Sequence, residues 1–274
     1  MDLPVLLNSG GVRPIRSGGV IMSARKTTGY IIYDGPSEID GQRIVAVALT
    51  GKSRNGKTGG MLQTYIMRAD MDPRTASKTG EDFSICGNCP HRGLPTNDPE
   101  KKQAIERTCY VILGQGPLIV WKGLVAGRYP HRTQILPIVA LGSGRKVRLG
   151  TYGDPAAVPS YVWKALLTDA EGHTGYSHQA DTQADYRPDL TMRSVDTIEQ
   201  ARAAWDNAER TFRVVSGVDQ IDPANEILCP ASKEAGQRTT CEKCGLCAGS
   251  NVAAKSIAIP AHGNGRGHFG KHVQ

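Results

Sequence analysis

Aromatic residues are scarce: Phe, Trp and Tyr together make up 5% of the 274 residues. The core therefore cannot rest on ring packing and must be built from Val, Ile, Leu and Ala. Long apolar runs are also missing. The longest, Ile135-Leu-Pro-Ile-Val-Ala-Leu141, falls far short of the roughly 20 residues that a membrane-crossing helix needs, so no membrane partner is expected. The first residues lack the charged-then-apolar order of a secretory signal. Together with clustered cysteines, this sets the expectation of a reducing, cytoplasmic setting in which thiols hold metal rather than pair as disulfides. No internal repeat of fixed period is present.

Basic charge is in excess. The net charge of +7 favours a polyanionic partner, nucleic acid in the first place. Candidate contacts are Lys52, Arg54 and Lys57, then Arg145, Lys146 and Arg148, then the tail from His262 to His272. The Gly-rich stretch Gly51 to Gly60 reads as a flexible basic loop able to follow a phosphate backbone. For each cluster the plainer reading is a solvated face.

The seven cysteines fall into two groups. Cys241-Glu-Lys-Cys244-Gly-Leu-Cys247 is a C-x-x-C-x-x-C run, and Cys229-Pro230 lies upstream. Two residues between thiolates let a tight turn aim both sulfurs at one ion. The run plus Cys229 gives four thiolates, which suit a structural zinc and equally an iron–sulfur cluster. The spacing predicts a metal site, with zinc preferred and iron–sulfur as the alternative. The other group is Cys86-Gly-Asn-Cys89-Pro-His91, followed by Cys109-Tyr110. Cys86, Cys89 and Cys109 either close a second site with His91 or leave one coordination position open, as catalytic sites do. A disulfide or a buried thiol pair is the alternative.

Hydrophobic patterning predicts an α/β chain. Residues 1–28 read as an irregular arm, 29–262 as one domain with metal-binding insertions, and 263–274 as a basic flexible tail. Gly29–Tyr33 and Arg43–Leu49 read as an antiparallel pair, with Thr64–Arg68 as a third strand. Helices are expected at 117–126, 155–167 and 197–208, interleaved with strands near 146–150, 174–177, 190–194, 211–215, 227–229 and 256–259. Strand–helix alternation implies parallel pairing and a βα barrel or partial barrel, with ligands at the carboxyl ends of the strands. Those ends carry Asp154, His178, Asp196 and His262. Asp154 before Pro155 also fits a helix cap. Asp196 with Glu199, or Thr197 with Gln200, fits a capping box. His262 is also a candidate ligand for the C-terminal cysteines.

The combination Ser84-Ile-Cys-Gly-Asn-Cys-Pro-His91, Cys109-Tyr110, Cys229-Pro230 and Cys241 to Cys247 resembles a group of uncharacterised phage and prophage proteins over most of residues 29–262. A zinc-carrying βα barrel in that setting is in turn similar to the guanine transglycosylase superfamily, although its usual zinc motif has three cysteines and a histidine at other spacings. That resemblance implies exchange of guanine in phage DNA for a 7-deazaguanine, inside the host cytoplasm. Asp154 would be the nucleophile, with His178 or Asp196 moving protons. Two alternatives stand beside it. One is an iron–sulfur, radical-type enzyme with an open iron on Cys86, Cys89 and Cys109. The other is a non-catalytic zinc protein that binds nucleic acid.

Overall fold

The computed structural model describes residues 27–269 except 52, 54 and 264. The expected N-terminal arm, Lys52, Arg54 and the end of the tail lie outside the described residues. The chain is α/β, with two five-stranded sheets. β1 (Gly29–Pro36), β2 (Arg43–Leu49) and β3 (Leu62–Arg68) form an antiparallel meander. Between Leu62 and Arg68 only Tyr65 is not fully buried, so the strand is covered on both faces. Helices α1 (Pro73–Thr79), α2 (Phe83–Cys86), α3 (Gly116–Val125) and α4 (Ile135–Gly142) follow. The chain then returns to add β4 (Lys146–Tyr152) parallel to β3, passes through α5 (Ser160–Leu167), and adds β5 (Gly172–Thr174) parallel to β4.

The second sheet is entirely parallel, in the order β6 (Tyr176–Ser177), β7 (Met192–Val195), β8 (Thr211–Val215), β10 (Ser256–Pro260), β9 (Glu226–Leu228). Helix α6 (Ile198–Asp206) joins β7 to β8, and the short α7 (Cys241–Cys244) lies between β9 and β10. Gly175 alone separates β5 from β6, so one chain segment serves both sheets. Its N–H donates to Cys247 O and its carbonyl accepts from Met192 N. The strands do not close: among the described residues there is no closed barrel, which corrects that part of the expectation. The edges at β1 and β9 stay apart because the first three strands run antiparallel and carry no crossover helices.

The larger apolar core lies under the first sheet. Ile32, Ile44, Leu62, Ile66, Val147 and Leu149 pack against Ile138 of α4 and Val162, Trp163 and Leu166 of α5. As composition required, aliphatic residues dominate it. The expected helix over 155–167 is broken. Pro155–Ala157 forms a 3-10 turn and Pro159 starts α5 separately, because proline offers no N–H to continue a helical ladder. The run Ile135–Leu141 is α4, and α1 is capped by Asp72, whose side chain accepts from Arg74 N and Thr75 N. The described part of the tail folds back onto the domain: Phe269 is buried and stacks on His91 at 5.7 Å between ring centroids.

Candidate metal and substrate cavity

At the carboxyl ends of β4, β6, β7, β8 and β10 the chain leaves a cavity of about 140 Å³. Ligand sites in parallel sheets belong there. Cys86, Cys89 and Cys109 line it, together with His91, Asp154 and His178. The local sequence explains how the cysteines arrive. Gly87 takes φ +51 at the end of α2, and a Cβ there would lie 2.1 Å from Gln179 Oε1. The chain can therefore turn between Cys86 and Cys89 only with glycine at that place. The cysteine loop is tied to strand ends from two sides: Asp154 N donates to Ile85 O, and Gln179 Nε2 donates to Cys86 O at 2.9 Å. Cys109 N donates to His91 O, joining the remote cysteine to the pair. Arg92 braces the loop through Gly87 O, Gly80 O and the Asp82 carboxylate, and Arg107 through Cys109 O and Val111 O.

The other four cysteines line a second, much smaller cavity of about 10 Å³: Cys229, Cys241, Cys244 and Cys247, with Tyr176 shared by the two cavities. Thr240 caps α7 by accepting from Lys243 N. Cys241 and Cys244 are three apart and so share one side of a single turn. Gly245, at φ +66, reverses the chain and returns Cys247 to the same place. Arg210 holds the following loop by donating to Leu246 O, Gly249 O, Ala254 O and Lys255 O. All seven cysteines are free thiols, so the disulfide alternative is not realised.

A fit to anionic metal centres rests on charge. Arg148, in the middle of β4, is 6% exposed and makes no ion pair with a carboxylate among the described residues. Its Nη2 donates to Tyr110 Oη at 2.7 Å, and it lies over the Tyr176 ring and near Cys241. An unpaired buried cation costs several kcal/mol. A metal–thiolate centre held by the neighbouring cysteines would supply the missing negative charge. As bare thiols the same groups are driven neutral: burial pushes Cys247 up to about 12 and Cys86 well above the usual thiol range. The seven cysteines and a neighbouring His–His–Asp group can thus hold metal.

That group joins three sequence-distant segments. His91 follows α2, His178 follows β6, and Asp196 follows β7. Asp196 Oδ1 lies 2.9 Å from His91 Nε2 and 3.6 Å from His178 Nε2. Burial raises the Asp196 carboxyl, but its contacts with His178 and then His91 outweigh this and hold it well below the usual range. Burial opposes charge on His178, yet Cys89 and Asp196 outweigh it and raise the imidazole well above its ordinary value. Asp196 is not the cap of α6. Thr197 is, in a reciprocal box with Gln200, whose Oε1 also accepts Asp196 N. The Asp196 carboxylate is therefore left for the histidines.

Asp154 does act as a cap. Oδ1 accepts from Ala156 N at 3.0 Å and Oδ2 from His178 N at 2.8 Å. Burial, stronger than these bonds and one from Ser177, raises its pKa. His262 lines the main cavity and stacks on Tyr110, rather than joining the second cysteine group.

The basic stretch 145–148 is tied into the protein, whereas Arg266 and His268 of the tail are exposed. Arg145 donates to Thr50 O, Lys146 to Glu242 O, and Arg148 is buried. Residues 57–60 of the Gly-rich loop clamp α7: Lys57 O accepts from Cys241 N, and Gly60 N donates to Glu242 Oε2 at 2.8 Å. No described helix is long and apolar enough to cross a membrane. Compared with protein-family models, curated proteins and solved structures, the chain matches none.

Proposed function

We propose that the protein is an iron–sulfur enzyme whose substrate binds in the main cavity. The observation that carries this reading is the division of the cysteines: three line the roomy cavity and four line the small one. A four-thiolate set saturates a cluster, whereas a three-thiolate set leaves one metal position for substrate or cosubstrate. Iron–sulfur is favoured over zinc by sulfur spacing. Tetrahedral zinc at about 2.3 Å from each sulfur draws its thiolates to roughly 3.8 Å of one another. Among the described residues, no three cysteine sulfurs lie within 4.8 Å of one another. A polynuclear cluster binds each thiolate to its own iron and so needs the wider set.

When bound, such a cluster supplies electron transfer or Lewis acidity. The protein's own part is to shape and electrify the site. Tyr176 stacks on Phe212 at 4.0 Å between ring centroids, and Tyr110 stacks on His262. These rings line a cavity suited to a small planar substrate. Arg107 and Arg148 place positive charge beside the two thiol groups. The test is iron, zinc and acid-labile sulfide per chain after anaerobic purification, in wild type and in Cys86→Ala and Cys244→Ala. Each substitution is expected to remove a separate share of iron and sulfide. A colourless protein holding zinc and no sulfide would overturn the reading.

A second reading, transglycosylase-like base exchange on DNA, is favoured by one observation: Asp154 lines the same cavity. Attack by Asp154 would need one of its two committed oxygens released. Labelled deazaguanine incorporated into DNA by wild type but not by Asp154→Asn would establish it.

A further inference from the structure

We infer that His91, His178 and Asp196 form a separate mononuclear site for a divalent first-row transition ion, iron(II) foremost, in the wall of the main cavity. Their ligand atoms all lie within 4.8 Å of one another, and no other trio of His, Cys, Asp or Glu among the described residues is that tight. A second observation points the same way. His91 Nε2 and Asp196 Oδ1 are sealed from solvent and face each other at 2.9 Å, an ion-pair distance, without the alignment of a well-formed hydrogen bond. Two buried polar atoms so close, yet not aligned to share a proton, are arranged as two ligands of one ion are.

The surroundings prepare each ligand. His91 Nδ1 meets Thr108 Oγ1 at 2.8 Å. Donation of the Nδ1 proton to that hydroxyl leaves a lone pair on Nε2, as a metal-binding histidine requires. The His91 ring is fixed from one side by Phe269 and edge-on by His178. Gln200 anchors Asp196 through its backbone N–H, and Asp154 anchors His178 through its own. Two imidazoles and one carboxylate are the ligand set of mononuclear iron(II) sites with open positions. His91 and His178 both line the cavity, so an ion held by the trio would lie at its wall.

The inference does not depend on iron–sulfur clusters, and the test separates the two. Metal is counted against acid-labile sulfide in holoprotein purified anaerobically with iron(II). Wild type should hold one equivalent of divalent metal beyond that accounted for by sulfide or by the cysteines. Asp196→Asn and, as a second variant, His178→Gln should lose that equivalent while sulfide and visible absorption stay unchanged. Manganese(II) added to wild type depleted of the extra ion should show nitrogen couplings from two imidazoles in pulsed electron paramagnetic resonance. Absence of the extra equivalent in wild type, or its survival in both folded variants, would overturn the inference and leave the trio a hydrogen-bonding cluster. Loss of sulfide with the extra equivalent retained would sink the cluster reading alone.

Discussion

The two cysteine cavities share a logic and differ in size. Each gathers thiols from a C-x-x-C turn and from a remote segment, and each is braced by arginine donating to carbonyls of the cysteine loop: Arg92 and Arg107 in one, Arg210 in the other. One opens into about 140 Å³ lined by histidines and rings, and the other holds about 10 Å³. The difference assigns roles. The smaller pocket has little room for water, so a centre there that neutralised the adjoining Arg148 would also hold the fold. The larger cavity has room for water, so a centre there could serve chemistry without being indispensable to the fold.

The comparison breaks most sharply by removing one thiol from each side. Cys241→Ala would remove the thiol beside Arg148 and leave the smaller pocket short of one of its four proposed ligands. A loss of roughly 3–5 kcal/mol is expected, typical of breaking a buried charge pair, and visible as a lowered urea midpoint. Cys86→Ala, in the larger cavity, should cost less than about 2 kcal/mol while removing the metal proposed for that cavity. Equal destabilisation by the two would erase the distinction between them.

A smaller effect is expected at the brace of the smaller pocket. Arg210→Lys replaces a five-donor fork by one ammonium, and most of its four carbonyl acceptors lose their partner. Buried groups left unsatisfied cost roughly 1–3 kcal/mol. Hydrogen exchange should quicken in residues 246–256 and leave 86–109 unchanged. Faster exchange in both regions would mean that the sheets communicate more than the division into two cavities allows.

Much of this architecture was legible in the sequence, and the failures have physical causes. The meander from Gly29 to Arg68 and the strand Thr211–Val215 follow from β-branched runs bounded by turns. The cysteine spacings pointed to both groups, because C-x-x-C is local geometry. What could not be read was long-range. Nothing near His91 indicates that Asp196 lies against it, since only the packing of the loop after α2 on the end of β7 brings the two together. The charge clusters were open to two readings for a related reason. Val147, Arg148 and Leu149 of β4 are all buried, and a basic run in sequence does not reveal that a strand is covered on both faces. Two overlapping capping boxes, Asp196 to Glu199 and Thr197 to Gln200, were equivalent as patterns. Signals at Asp72-Pro73 were sufficient to start α1, yet its seven residues carry too little periodicity to stand out.

The choice between those boxes gives the finest test of the larger cavity. Thr197 both starts α6 and frees Asp196, because Gln200 Oε1 accepts from the backbone N–H of each. Thr197→Ala removes the bond from Gln200 N to Thr197 Oγ1 and should cost about 1 kcal/mol. Asp196 then becomes the nearest side chain able to cap the helix. If its carboxylate turns to the helix start, it leaves His91 and His178, and the mononuclear ion should be lost while the smaller pocket keeps its metal. Thr197→Ser keeps the hydroxyl and should restore both stability and ion binding. Loss of stability in Thr197→Ala with ion binding unchanged would show that Asp196 is held by the histidines themselves rather than released by the cap.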